Sequence, residues 1–223
     1  MRVNPSRPIS DDQVAPPGIL RIYLVRHGIT SWNVEQRLQG HTDIPLTEEG
    51  ILQAKHIADR LSVLALEAVW SSDLVRAYAT ADAIARRHGL YVNKTPLLRE
   101  SGLGDWEGLT EAEIMQRGER DLWLAYRRDS TAHRPPGGEP YQAVWDRLME
   151  VRDRIVAAHP RGNVVIVGHG GSMRSLLTDA LGAGIPGIRR LSLDNASLSL
   201  IERTADWTIV RFVNDTGHLL REA

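Results

Sequence analysis

Three short apolar runs, each feeding a polar cluster and then a helical period, constrain this chain more than any other feature. Ile22-Tyr23-Leu24-Val25 runs into Arg26-His27-Gly28. Ala68-Val69-Trp70 runs into Ser71-Ser72-Asp73, with Arg76 on the first turn of the helix that follows. Val164-Val165-Ile166-Val167 runs into Gly168-His169-Gly170-Gly171. Apolar β-rich runs of this length read as buried strands. Alternation of such strands with helices predicts an α/β fold: a three-layer α/β/α sandwich with a mostly parallel central sheet. Ligands of open α/β sheets bind beyond the carboxyl ends of the strands. If the three strands are neighbours, Arg26, His27, Arg76 and His169 meet in one pocket. Like charges packed together are costly unless an anion lies between them. A phosphoryl group is the natural tenant, because its oxygens match the guanidinium fork.

Other segments support that frame. A short helix is expected near 33–38. Thr47 is placed as a simple N-cap, since a capping box would need Glu or Gln where Gly50 stands. Helices are expected at 48–61 and 74–88, the second closed by Gly89. Tyr91–Val92 reads as a short strand. Residues 101–160 form an insertion expected to act as a helical lid, with helices near 110–117, 119–127 and 141–159. The Pro/Gly-dense stretch 131–140 between them is a loop. A further helix spans 172–182. Leu191–Ser192, Ala196–Glu202 and Trp207–Val213 look like closing strands, the last at an edge.

Composition narrows the function classes. The 223 residues suit one domain, 19–223. The formal net charge of −1, with 25% charged residues, gives no reason to invoke nucleic acid. No apolar run approaches the roughly 20 residues that span a bilayer, so no membrane partner is expected. Residues 1–18 carry four prolines and no apolar core of a signal peptide. They are expected to be a disordered or surface-draped tail on a cytoplasmic protein. With no cysteine, disulfides, thiolate zinc sites and cysteine nucleophiles are excluded.

Within that pocket His27 reads as a nucleophile that takes a phosphoryl group covalently. Arg26 and Arg76 would disfavour its charged form and keep the ring able to attack. Taken alone, a structural histidine at a strand end explains it as well. Arg26, Arg76 and His169 would clamp the equatorial oxygens without metal, and the N–H groups of Gly170 and Gly171 would add helix N-terminal donors. Glu100, Asp105 and Glu107 all offer a carboxyl group for acid–base work. Arg127, Arg128 and Arg134 in the lid read as surface arginines, with a second anionic group of the substrate as the alternative. Trp32, His41 and Trp106 are candidates for the pocket mouth, although packing explains them equally. Trp123, Tyr126 and His133 of the lid are candidates to set substrate choice.

The motifs carry a resemblance. Leu24-Val25-Arg26-His27-Gly28-Ile29-Thr30-Ser31-Trp32-Asn33, Gln39-Gly40 and Leu46-Thr47-Glu48-Glu49-Gly50 resemble the histidine phosphatase superfamily, in its phosphoglycerate mutase-like branch. Ser71-Ser72-Asp73-Leu74-Val75-Arg76-Ala77, Leu98-Arg99-Glu100 with Gly104-Asp105-Trp106-Glu107-Gly108, and Gly168-His169-Gly170-Gly171 match its later motifs in order. The resemblance implies catalysis by His27, Arg26, Arg76, Glu100 and His169, with Glu100 as general acid and Glu107 left on the solvated surface. It implies substrate contacts from Gly28, Asn33, Gln39, Gly40 and Gly170, no metal, no cofactor, and a small phosphate ester as partner. It is compatible with a homodimer. Glu100 is followed by Ser101-Gly102-Leu103-Gly104 rather than an Arg-His-Tyr-Gly-type run, and the tail stops at Ala223. Both features resemble the broad-specificity and α-ribazole-type phosphatases more than the mutases. A cofactor-dependent phosphoglycerate mutase, a non-catalytic phospho-ligand binder and a metal-dependent hydrolase are the alternatives.

Overall fold

The computed structural model describes residues 13–219. Strand β1 (Leu20–Arg26) leads through the short helix α1 (Ser31–Val34) to α2 (Glu48–Leu61) and β2 (Leu66–Ser72). Helix α3 (Val75–Arg87) and β3 (Val92–Thr95) follow. Helices α4 (Glu111–Gln116), α5 (Arg120–Arg128) and α6 (Tyr141–Ala158) precede β4 (Gly162–Gly168). The chain closes with α7 (Gly170–Ala180), α8 (Gly184–Gly187), β5 (Leu198–Arg203) and β6 (Thr208–Asp215).

The six strands form one sheet in the order β3-β2-β4-β1-β5-β6. β1, β2, β3 and β4 pair in parallel, whereas β5 and β6 join antiparallel. The sheet is therefore mixed and mostly parallel, as the alternation of strand and helix predicts. Period-two alternation sends Ile22 and Leu24 of β1 to one face and Tyr23 and Val25 to the other. The first face packs on Val144, Leu148, Val151 and Ile155 of α6 and on Met173, Leu176 and Leu177 of α7. The second packs on Ile57, Ala58 and Leu61 of α2 and on Ala77, Ala81 and Ile84 of α3. Apolar burial on both faces gives the three layers.

The structure corrects several expectations. α6 belongs to a flanking layer, because its apolar stripe is buried on the sheet; within 101–160, the part set apart from the sheet is smaller. There, Trp106, Ile114 and Trp123 form a separate small core. Leu191–Ser192 is not a strand. β6 does lie at an edge, and Thr47 caps α2 by accepting the Gly50 N–H without a capping box. Of the expected tail, residues 1–12 lie outside the described residues. The adjoining residue Gln13 is tied down, its carbonyl accepting from Ala65 N at 2.9 Å and Asn163 Nδ2 at 3.1 Å. Among the described residues no helix is long and apolar enough to cross a membrane.

Candidate active site

Strand register alone brings two histidines together. Arg26 stands opposite Gly168 in the parallel β1–β4 pair, so the next residues, His27 and His169, leave the sheet side by side. Their ring centroids are 5.2 Å apart in an edge-on arrangement. β2 flanks β4 on its other side, and the helix it feeds, α3, delivers Arg76 to the same place. These groups line a cavity of about 410 Å³ at the carboxyl ends of the strands, together with Asn33, Gln39, Gly40, Glu100 and Gly170.

Hydrogen bonds fix the state of each ring. His27 Nδ1 lies 2.7 Å from the carbonyl of Gly28. A carbonyl can only accept, so Nδ1 carries the proton and Nε2 keeps its lone pair. Burial, and then the charges of Arg26 and Arg76, hold the His27 pKa well below the usual histidine value. His169 Nδ1 accepts from Arg76 Nε at 3.2 Å, which puts the proton of the neutral ring on Nε2. That Nε2 is buried and has no partner among the described residues, and neither has Arg26 Nε. Unpaired buried donors are costly; two of them beside one cavity mark a seat for an anion. Burial and the neighbours Arg76, His27 and Arg26 also push the His169 pKa well down. The expected consequence is that His27 remains neutral at pH 6, because it takes a proton only far below the ordinary value near 6.5. Nitrogen-15 NMR of the imidazoles checks this; a titration centred near 6.5 would contradict it.

Arg76 is held on every nitrogen. Besides the bond from Nε to His169, its two terminal nitrogens donate to Thr42 O and Gly40 O, each at 2.8 Å. Burial lowers its pKa to about 10, so it remains a cation at neutral pH. Arg26 is anchored by one bond to Leu193 O at 2.6 Å.

Glu100 faces the cavity with both oxygens engaged, Oε2 by Gly171 N at 2.7 Å and Oε1 by Ser101 N at 2.9 Å. The Gly171 N–H expected to serve a phosphate thus serves Glu100 here. A side chain at Gly171 would collide with Glu100, since a Cβ there would lie 2.2 Å from Oε1. The carbonyl of Glu100 accepts from His41 Nε2 and Arg147, each at 2.8 Å; His41 thus holds the Glu100 backbone and does not line the cavity.

Glu107 departs from its expected place on the solvated surface. Its carboxylate accepts from the N–H groups of His41, Thr42 and Leu103 and from the Thr42 hydroxyl. Burial works to raise its pKa, but these hydrogen bonds outweigh it and hold the pKa below the usual range. Through them Glu107 fixes loop 40–42, whose carbonyls grip Arg76. Glu107→Ala is therefore expected to lower kcat/KM for phosphate esters by up to about 10²-fold, as misplacement of a gripping group does. Restoration by Glu107→Gln of only part of that loss would fit the same geometry, and an unaltered kcat/KM in the alanine variant would refute it.

Gly28 does not line the cavity. Its N–H donates to Thr80 Oγ1 at 3.1 Å, and a Cβ would meet Gly50 O at 2.5 Å, so its smallness serves close backbone packing. Asn33 does line it; Oδ1 is occupied by Thr30 and Asn195, which leaves its amide N–H groups as the donors. Trp106 is fully buried in the small core and Trp32 covers Gly108. Of the lid candidates Trp123, Tyr126 and Arg127 reach the cavity, whereas Arg128, His133 and Arg134 do not. Sequence reasoning missed Asn195, Arg174 and Arg189. Asn195 bridges the His27 carbonyl and Asn33 Oδ1 at 3.1 and 3.2 Å. Arg174 was detectable, one helical turn beyond Gly170, but Arg189 follows the short α8 with no motif around it.

Comparison with known proteins fits this geometry. The chain is 40% identical over 201 residues to "Bifunctional protein Rv2228c" of Mycobacterium tuberculosis, and spans 89% of itself but only 55% of that relative's length. It is 34% identical over 207 residues to "Probable phosphoglycerate mutase GpmB" of Cronobacter sakazakii, covering 90% of this chain and 95% of that one. The solved structure of a mycobacterial glucosyl-3-phosphoglycerate phosphatase, Rv2419c, with VO3 superposes with a TM-score of 0.80 at 34% identity, over 88% of this chain and 99% of the other. The family model of the histidine phosphatase superfamily (branch 1) matches residues 22–216. With that match over nearly the whole described chain, and with the four matching motifs drawn around one cavity, the protein belongs to the histidine phosphatase superfamily, branch 1.

Proposed function

We propose that the chain is a metal-independent phosphomonoesterase acting on small phosphorylated metabolites through a phosphohistidine on His27. The observation that carries this reading is the neutral, Nδ1-protonated His27, whose free Nε2 sits beside the unpartnered donors of Arg26 and His169. In the first step Nε2 attacks phosphorus, the bond from phosphorus to the ester oxygen breaks, and Glu100, entering protonated, gives its proton to the leaving alkoxide. Arg26, Arg76 and His169 neutralise the charge on the three equatorial oxygens. In the second step the Glu100 carboxylate takes a proton from water, the oxygen attacks phosphorus, and the P–N bond breaks to release phosphate and restore neutral His27.

The guanidinium groups of Arg26 and Arg76 flank the seat and repel a divalent cation, which supports a reaction without metal. Hydrolysis of p-nitrophenyl phosphate is accordingly expected to proceed undiminished in excess chelator. Loss of turnover on chelation, with recovery on adding a divalent metal, would count against the proposal. The likeness to a protein named as a phosphoglycerate mutase supports one other reading, in which phosphorylated His27 returns its group to a second hydroxyl. Interconversion of the phosphoglycerates stimulated by 2,3-bisphosphoglycerate, without release of phosphate, would favour it.

A further inference from the structure

The cavity holds more positive charge than one phosphate uses. Arg26, Arg76, Arg127, Arg174 and Arg189 all line it, and Glu100 is the sole carboxylate among its described lining residues. None of these five arginines has a carboxylate within ion-pair distance among the described residues. Arg37 also lines the cavity, but Glu35 and Glu113 pair with it. A phosphate monoester brings a charge of about −2 and would be taken up by Arg26 and Arg76. Arg127, Arg174 and Arg189 then remain together without a counter-charge.

Arg174 is half-buried and Arg127 and Arg189 are exposed at the rim of the cavity, yet each has a contact that orients it. Arg174 Nε donates to Gly170 O at 3.0 Å, which keeps it on the phosphate side of α7. Arg189 donates to the carbonyl of Tyr126 at 2.8 Å and lies over the Tyr126 ring, 5.6 Å from its centroid. Arg127 lies over the Trp123 ring at the same distance. Stacking on aromatic faces preorganises a guanidinium without neutralising it. Burial, and then Arg127 and Arg174 among its neighbours, hold the Arg189 pKa below its ordinary value. Gathering like charges in this way costs free energy that a bound anion recovers.

We infer that Arg127, Arg174 and Arg189 form a second anion subsite, so that the favoured substrate is a phosphomonoester whose alcohol portion carries another anionic group, a carboxylate or a second phosphate. The inference rests on the phosphate seat proposed above and adds the substrate class. A general steering field is the competing explanation; it would raise the on-rate of every anionic ester alike and fade with salt. A subsite instead discriminates between ligands by what lies beyond the phosphate.

Isothermal calorimetry with non-hydrolysable ligands separates these. The probes are alkylphosphonates, ω-phosphonocarboxylates and α,ω-diphosphonates of matched chain length, from two to five carbons, titrated into the full chain. A second charge-assisted contact predicts that one carboxylated or diphosphonate member binds about 10–100-fold tighter than the plain alkylphosphonate. Whichever of the two binds tighter identifies the second group. In the Arg174→Ala/Arg189→Ala double variant that ratio should collapse to about one. A milder pair of variants, Arg174→Gln and Arg189→Gln, covers the event that the alanine protein does not fold. A ratio near one in the wild type, or a ratio that survives in the variants, overturns the inference. Because binding needs no turnover, phosphonate discrimination without hydrolysis of any ester would overturn the phosphatase reading alone. Hydrolysis without discrimination would overturn the subsite alone.

Discussion

Replacing His27 by alanine is expected to lower kcat for p-nitrophenyl phosphate by on the order of 10⁴-fold or more, the scale on which removal of a covalent nucleophile acts. The substitution deletes the imidazole nitrogen Nε2, whose lone pair is left free by the proton on Nδ1. Arg26, Arg76 and His169 remain, so inorganic phosphate should still bind by calorimetry. Rapid acid-free quenching of the wild type during turnover should yield a phosphoenzyme whose phosphorus-31 signal is that of a phosphoramidate, stable in base and labile in acid. The variant should show none. A variant that keeps more than about a hundredth of wild-type turnover would remove His27 from the reaction coordinate.

Glu100→Gln is expected to lower kcat by about 10²–10⁴-fold, the range for loss of a positioned general acid. The amide oxygen of glutamine can still accept the Gly171 N–H that Glu100 accepts at 2.7 Å, and only the bond from the Ser101 N–H is given up, so the cavity should largely keep its shape while losing its proton carrier. The effect should depend on the leaving group. An alkyl phosphate expels a strongly basic alkoxide and needs the proton. p-Nitrophenyl phosphate expels a stable phenolate and needs it much less. The loss should therefore be greater for the alkyl ester when phosphorylation of His27 is followed in a single turnover. Equal losses for the two esters would mean that Glu100 serves only to position the site, and no loss would assign the acid to another group.

The two substitutions probe residues that differ in how they could be read. His27 is legible because Arg-His-Gly after an apolar strand recurs with two further strand ends that carry Arg76 and His169; alone it would read equally well as a structural histidine. Glu100 lies in a stretch with Asp105 and Glu107 nearby, and the residues alone left the three carboxylates equivalent in chemistry. What separates them is contact. Glu100 reaches the start of α7, whereas Glu107 turns toward loop 40–42 and is consumed by four hydrogen bonds. The expectation of a solvated Glu107 fails because sequence proximity does not say which backbone N–H groups will face a carboxylate. The same reason hides Asn195, whose amide links β1 to Asn33 across 168 and 162 residues of chain.

The lid shows a related division. Its helices are legible from their 3.6-residue period, and α6 was located within a residue or so at each end. That α6 would pack on the sheet rather than over the cavity follows from Val144, Leu148, Val151 and Ile155, all buried, yet period alone cannot name the surface such a stripe will cover. Leu191–Ser192 is the converse: two residues read as a strand that stay outside the sheet, where β5 takes the antiparallel position beside β1 and β6 pairs with β5.

By itself the sequence determined the main helices and strands (though not the supposed strand Leu191–Ser192), the order in which they alternate, and the residue types at the ends of β1, β2 and β4, because apolar periodicity and turn chemistry are local properties of a chain. Tertiary structure decided which of the polar residues share a cavity, which ring nitrogen of His27 is free, where Glu107 spends its charge, and which arginines stand together without a counter-ion. Those are matters of distance between segments remote in sequence, and both Coulomb energy and hydrogen bonding depend on distance rather than on position along the chain.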